Sequence, residues 1–240
     1  MSHQTNSADE VHSAPPAQDR PYLPAMGNQR LLPFYDAFAR LTGGRTVQWR
    51  LVAQAGVAPG HTVLEIGAGT GIVLQLAKRA VDSATVIGLD PDREALAVAR
   101  RRAAREGLEL RLDHGYADQL PYADGSVDRV LSAFMFHHLP GEEKTAALRE
   151  ARRVLTPGGS LHLVDLNGEH PGVVGHLMRL RHQHGHGHGH GDGHAGHNSP
   201  ETASAQDVVR LMRETGFDEA RTVGHSRAAF GSVTFYRATR

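Results

Sequence analysis

The sequence predicts a doubly wound α/β fold, and three observations carry that prediction. A short apolar run, Val63, Leu64 and Ile66, ends in the alternating glycines Gly67, Gly69 and Gly71. Ile72, Val73, Leu76, Ala77 and Ala80 then follow at helical spacing, with Gln75, Lys78 and Arg79 between them. A second apolar run, Ala84 to Asp90, ends in an acid about twenty residues beyond the glycine turn, the place of a ribose-binding carboxylate in such a fold. Strand-like and helix-like segments go on alternating to Asp165, the pattern of a buried parallel sheet.

Residues 1–20 are polar, carry Pro15-Pro16, and are expected to be disordered. Residues 21–58 are read as a helical cap. Tyr22, Leu23, Met26, Leu31, Leu32, Phe34, Tyr35, Phe38 and Leu41 crowd its first part, and a helix is expected over 46–54. The first strand then ends in Glu65-x-Gly67-x-Gly69-x-Gly71. Glycine serves a tight turn and lets backbone N–H groups approach a ligand. The spacing is not that of a dinucleotide fingerprint, which requires glycine where Ile72 stands. E-x-G-x-G-x-G resembles motif I of the class I S-adenosylmethionine (SAM) methyltransferases. That resemblance implies a Rossmann-like sheet of seven mostly parallel strands closed by a C-terminal antiparallel hairpin. It also implies that Glu65, Gly67, Ala68, Gly69 and Gly71 hold the methionyl end of SAM. The stretch L-L-P-F-Y-D resembles the start of quinone-biosynthesis methyltransferases of the type 11 group. Under that resemblance Tyr35 reaches the methionyl or substrate end of the pocket; read alone, it sits on the apolar face of a packed helix.

After Asp90, the D-P-D-R-E-A-L segment starts a helix, with Pro91 in its first turn and acids at its positive end. Asp90 and Pro91 are assigned to the cofactor, the acid accepting from both ribose hydroxyls, although an acid here also suits a helix cap. A third strand is expected near 109–113. The following H-G-Y-A-D-Q-L-P-Y-A-D-G-S-V-D-R-V is similar to the family's G-D-A-x-x-L-P-F-x-D-G-S-F-D-x-V. Tyr116 replaces the family's adenine-contacting acid, which leaves Ala117 through its backbone and Asp118 as the adenine candidates. A fourth strand over 129–134 contributes Ala133 to the cofactor site, and Phe134, Met135 and Phe136 form an apolar wall near the transferred methyl. His137 and His138 are candidate catalytic bases, because imidazole titrates near neutral pH; a structural role for the H-H-L sequence is the alternative.

A helix is expected over 141–155 and a fifth strand over 161–165, joined by T-P-G-G-S; V-L-T-P-G-G-S-L-H-L-V-D resembles another family segment. Within 182–197, His182, His184, His186, His188, His190, His194 and His197 alternate largely with glycine. Such a segment favours neither helix nor strand and reads as a loop inserted into the 59–240 methyltransferase domain. Its imidazoles are the candidate ligands for Zn, Ni, Cu or Co, in a role that is not catalytic. A helix over 203–215 and strands near 219–226 and 232–237 complete the chain.

The 240 residues suit one domain with additions, and formal net charge is zero, which argues against a dedicated nucleic-acid surface. The absence of cysteine excludes disulfides, thiolate metal sites and cysteine nucleophiles. No apolar run approaches the length of a membrane span, and the N-terminus lacks an apolar signal core, so a cytoplasmic enzyme is expected. The resulting reading is a SAM-dependent methyltransferase acting on a small molecule, quinone-like or phenolic. A metal-binding or metal-responsive protein on the same scaffold is the alternative, and NAD-dependent oxidoreduction is disfavoured by Ile72.

Overall fold

The structure, a computed structural model, describes residues 43–171, 204–229 and 231–240, with backbone alone for 167–171. The predicted tail 1–20, the cap from 21 to 42 with Tyr35, and the histidine-rich insertion 182–197 lie outside the described residues. The described elements are α1 (Gly44–Ala55), β1 (Thr62–Ile66), α2 (Ile72–Ala80), β2 (Thr85–Asp90), α3 (Arg93–Arg105), β3 (Arg111–His114), β4 (Val127–Ala133), a 3-10 turn (Phe136–His138), α4 (Gly141–Val154), β5 (Leu155–Pro171), α5 (Ala205–Glu214), β6 (Asp218–Ala228) and β7 (Gly231–Thr239).

Seven strands form one sheet in the order β3-β2-β1-β4-β5-β7-β6. The first five are parallel; β7 pairs antiparallel with both β5 and β6. The predicted fold class is thus the observed one. Strand order reverses between β1 and β4, and a crevice opens beyond the carboxyl ends of parallel strands at such a point. Both faces are covered, which is why the central strands read as apolar runs. On one face Val47, Leu51, Val52 and Ala55 of α1 and Val73, Leu74 and Ala77 of α2 pack on Val63, Leu131, Val164 and Phe235. On the other, Leu148 and Ala151 of α4 and Val208 and Met212 of α5 pack on Leu64, Val130, Leu163 and Tyr236. Each large aliphatic side chain so buried contributes about 1.5–3 kcal/mol.

Several strand bounds differ from expectation, and two of the differences lie in β4 and β5. β4 begins at Val127 and ends at Ala133; the Phe134 N–H still donates to the Val164 carbonyl at 2.9 Å, and the chain then turns away because Phe134 adopts the left-handed region at φ 58. β5 is longer than 161–165. Leu155 already pairs with Val127, the register then shifts around Gly158 at φ 78, and pairing with β7 continues past Asp165. A Pro-Gly-Gly sequence looks like a full turn, but a bulge absorbs it inside one strand.

Polar contacts fix the parts that frame the crevice. Asp92 caps α3, its carboxylate accepting from the N–H groups of Glu94 and Ala95 at 2.9 and 3.1 Å. Arg153 of α4 holds the 115–126 loop, donating to the carbonyls of Leu120 and Tyr122 and to Asp124, while Glu150 accepts the Leu120 N–H at 2.8 Å. The buried His162 ties α1 to β5. Gln54 Nε2 lies 3.2 Å from its Nδ1, so Nδ1 accepts and Nε2–H donates to Ser160 Oγ at 2.9 Å. Burial and the charges of Arg237 and Arg129 hold this imidazole down to about 3, so it is neutral at physiological pH.

Candidate functional site

A cavity of about 630 Å³ opens at the reversal point between β1 and β4. Its floor is the turn that follows β1. Gly67, Gly69 and Gly71 all have left-handed φ angles, 76°, 52° and 78°, which an L side chain adopts only at a cost of about 1–2 kcal/mol each. The N–H groups of Gly67 and Ala68 donate to the Leu89 carbonyl of β2 at 2.9 and 3.1 Å. A Cβ on Gly67 would lie 2.4 Å from Met135 Cγ, whereas one on Gly69 would meet nothing within 4 Å. Gly69 is therefore the open face of the turn, and Gly67 is the point where the loop after β4 closes over it. A Cβ on Gly71 would sit 2.8 Å from Ala99 Cβ, so this third glycine lets α2 start against α3.

Two buried carboxylates stand beside the turn. Asp90, at the end of β2, accepts from the Gly69 N–H at 2.7 Å with one oxygen and from the Asp92 N–H at 2.8 Å with the other. Burial pushes its carboxyl up to about 6 in spite of these two donors. Glu65 is 2% exposed, and its Oε2 has no hydrogen-bond partner. Burial first, and the Asp90 charge second, raise its pKa well above the usual carboxylate range. Two other buried oxygens on the cavity wall, Gln48 Oε1 and Thr70 Oγ1, also lack partners. An unmatched buried polar atom costs about 1–3 kcal/mol, so this concentration of unpaired oxygens calls for a polar ligand with donors among its groups. SAM fits that description: it carries an ammonium, a sulfonium and two ribose hydroxyls.

The predicted cofactor residues Glu65, Gly67, Ala68, Gly69, Asp90, Pro91, Ala117, Asp118 and Ala133 all line this one cavity, and Gly71 does not. Tyr116 lines it as well, next to Ala117. Ile72, Val73, Phe134, Met135 and Leu139 add an apolar surface to the wall, which also carries Asp92 and Glu143. Of the candidate bases, His138 faces the cavity, His137 turns instead to Asp165, and Tyr35 lies outside the described residues. The seven candidate metal ligands, His182 to His197, also lie outside them. Among the described residues no group of three or more His, Asp or Glu side chains is placed to hold a metal ion.

Two features escaped the sequence reading. Gln48 reaches the cavity from α1, and its signal was a polar residue inside the buried stripe of Val47, Leu51, Val52 and Ala55. Asp165, 4% exposed, was read only as the end of a strand, yet both its oxygens serve the turn that carries the two histidines.

Known proteins resemble this chain. A family model described as a methyltransferase domain matches residues 63–159. The chain is 34% identical over 200 residues to a demethylmenaquinone methyltransferase of Deinococcus radiodurans, covering 78% of this chain and 81% of that protein. It is 35% identical over 130 residues to a ubiquinone/menaquinone biosynthesis C-methyltransferase of Cupriavidus necator, covering 53% of each. Among solved structures, a SAM-dependent methyltransferase from Aquifex aeolicus aligns with a TM-score of 0.63 at 20% identity, covering 88% of this chain and 98% of that one. A magnesium protoporphyrin IX methyltransferase from Synechocystis, solved with bound S-adenosylhomocysteine, aligns with a TM-score of 0.63 at 19% identity, over 82% of this chain and 84% of that one.

Proposed function

The chain belongs to the class I SAM-dependent methyltransferases, and from that premise we propose that its methyl acceptor is a small hydroxylated ring of the quinol type. The observation that carries this reading is the division of the cavity wall. Unmatched oxygens of Gln48, Glu65 and Thr70 gather with Asp90, while Ile72, Phe134, Met135 and Leu139 supply an apolar surface suited to a flat ring. The demethylmenaquinone methyltransferase relative points to the same class of acceptor.

The bound cofactor supplies a methyl group already activated on a sulfonium, a chemistry that requires no metal. The protein's part is to bind and align. Glu65 and Asp90 offer negative charge and acceptor oxygens to ammonium and hydroxyl groups. Ala117 and Asp118, in the loop fixed by Arg153, are the adenine contacts of this reading. Gln48 is added to the predicted set as an acceptor at the same wall. The apolar residues beyond β4 exclude water and hold the ring against the methyl, and alignment of this kind supplies most of the rate.

Incubation of the purified chain with SAM and a short-tailed demethylmenaquinol under reducing conditions is expected to give a ring-methylated product by mass spectrometry. Methylation of a simple phenol on oxygen, with none of the quinol, would replace this acceptor by a phenolic one. No transfer to either would remove the ring-acceptor reading.

The histidine-rich segment 182–197 is proposed as a separate metal-binding module, on its imidazole density alone. Calorimetry is expected to show Zn²⁺ or Ni²⁺ binding at neutral pH that is lost below about pH 6, because protonated imidazole cannot ligate. Binding that persists at pH 5 would assign the metal to other ligands.

A further inference from the structure

We infer that His138 accepts the proton of the acceptor's ring hydroxyl, and that Asp165 positions it through His137. This inference rests on the quinol reading above. The turn Phe136–His138 follows the strained Phe134 and is closed by the His138 N–H donating to the Met135 carbonyl at 3.0 Å. Asp165 of β5 grips that turn twice. One carboxylate oxygen accepts the His137 backbone N–H at 2.7 Å, and the other lies 2.5 Å from His137 Nδ1 and accepts the Leu166 N–H at 2.8 Å. This grip fixes the His137 ring with its Nδ1–H toward the carboxylate. The ring in turn lies against His138, the centroids 3.9 Å apart and the planes tilted by 40°. Backbone and ring of one histidine are thus locked by a buried acid, and the locked ring sets the orientation of the next, which faces the cavity.

The charged and titratable groups around His138 are His137 on its own turn, Asp165 from β5, and Glu143 and Lys144 from α4, the latter over the Phe136 ring, with Glu65, Asp90, Asp92, Tyr116 and Asp118 on the same cavity wall. Tyr236 of β7 also faces Asp165. Burial, with the neighbouring His137, holds His138 down to about 4, so its imidazole is neutral at physiological pH. As the hydroxyl O–H bond breaks, the proton passes to His138 and the electron pair enters the ring. The ring carbon forms its bond to the methyl as the methyl–sulfur bond breaks, its pair staying on sulfur. The ring proton then leaves the methylated carbon to solvent, and the proton on His138 returns to the oxygen. One proton is released for each methyl transferred, and the hydroquinone is restored.

The test compares wild type, His138→Ala and Asp165→Asn with SAM and the short-tailed demethylmenaquinol, alongside calorimetric SAM binding. His138→Ala is expected to lower kcat about a hundredfold at pH 7 with SAM affinity unchanged. The deficit should shrink by about tenfold per pH unit toward pH 9, as the acceptor ionises without help. Asp165→Asn is expected to lower kcat about tenfold at unchanged KM. A His138→Ala variant as active as wild type, or a deficit independent of pH, would overturn the inference. If wild type binds SAM but leaves the quinol unmethylated, the quinol reading fails and the inference falls with it; an active wild type beside an unimpaired His138→Ala overturns the inference alone.

Discussion

Replacing Asp90 with alanine is expected to weaken SAM binding about ten- to a hundredfold, read directly by calorimetric titration, in line with the ~1–3 kcal/mol carried by hydrogen bonds to a charged group. Two consequences of the geometry combine. The carboxylate would lose its bonds to the ribose hydroxyls, and the turn would lose the acceptor that now holds the Gly69 and Asp92 N–H groups. Asp92 caps α3, so the second loss reaches the start of that helix. Asp90→Asn keeps one oxygen acceptor and should fall between wild type and alanine. The same residue makes binding depend on pH. Burial raises its carboxyl to about 6, and ribose hydroxyls donate best to the ionised form. Affinity should therefore fall as pH drops through 6, by about tenfold between pH 7 and pH 5, while Asp90→Asn stays flat. The sign for the free protein is opposite. A raised carboxyl takes up protons more readily folded than unfolded, so its stability contribution is present below about pH 4 and is lost as pH rises through 6. SAM affinity unchanged in Asp90→Ala and level from pH 5 to pH 7 would mean that the ribose is held elsewhere.

The part of this site that was legible in the sequence is the part that repeats with the sheet. Glu65, Asp90 and Ala133 each stand at or near the carboxyl end of a parallel strand, and a buried strand announces itself by an apolar run with punctuation behind it. Chain order then places those ends around one crevice without any tertiary information. What was not legible depends on contacts between distant segments. Asp165 and His137 are 28 residues apart, and no local pattern says that a strand-end acid turns toward a particular imidazole. Gln48 belongs to a helix whose position is set by packing on Val63, Val164 and Phe235, and its side chain looked like one polar residue among others. Gly71 alternates with Gly67 and Gly69 in the sequence, yet its neighbour is Ala99 of α3 and not the cavity. Spacing identifies a turn; it does not say which glycine faces a ligand and which faces a helix.

That distinction gives the largest expected effect. Gly67→Val should lower SAM affinity more than a hundredfold and destabilise the chain by about 3 kcal/mol or more, the sum of left-handed strain and overpacking. Gly67 sits at φ 76, and a Cβ there would lie 2.4 Å from Met135 Cγ and 2.6 Å from Met135 Cβ. The nearer atoms belong to the base of the side chain, so a rotamer change in Met135 cannot relieve both contacts. Either the turn moves away from the Leu89 carbonyl, losing the 2.9 Å bond from the Gly67 N–H, or the loop after β4 lifts and carries Phe134 and His138 with it. The first movement spoils the floor of the cavity and the second its acceptor wall. Thermal unfolding should register the loss as a fall in Tm of about 6–12 °C for a chain of this size. Gly69→Ala offers the contrast. Its Cβ meets no protein atom within 4 Å, so the stability loss should be confined to left-handed strain of about 1–2 kcal/mol, while the new methyl projects into the open face where the cofactor would lie. The double variant Gly67→Val with Met135→Gly separates the two costs. If the clash dominates, it should regain about 1–2 kcal/mol relative to the sum of the single variants, a coupling measurable by chemical denaturation. Strict additivity would mean that backbone strain alone requires glycine at 67, and that Met135 does not close the loop onto the turn.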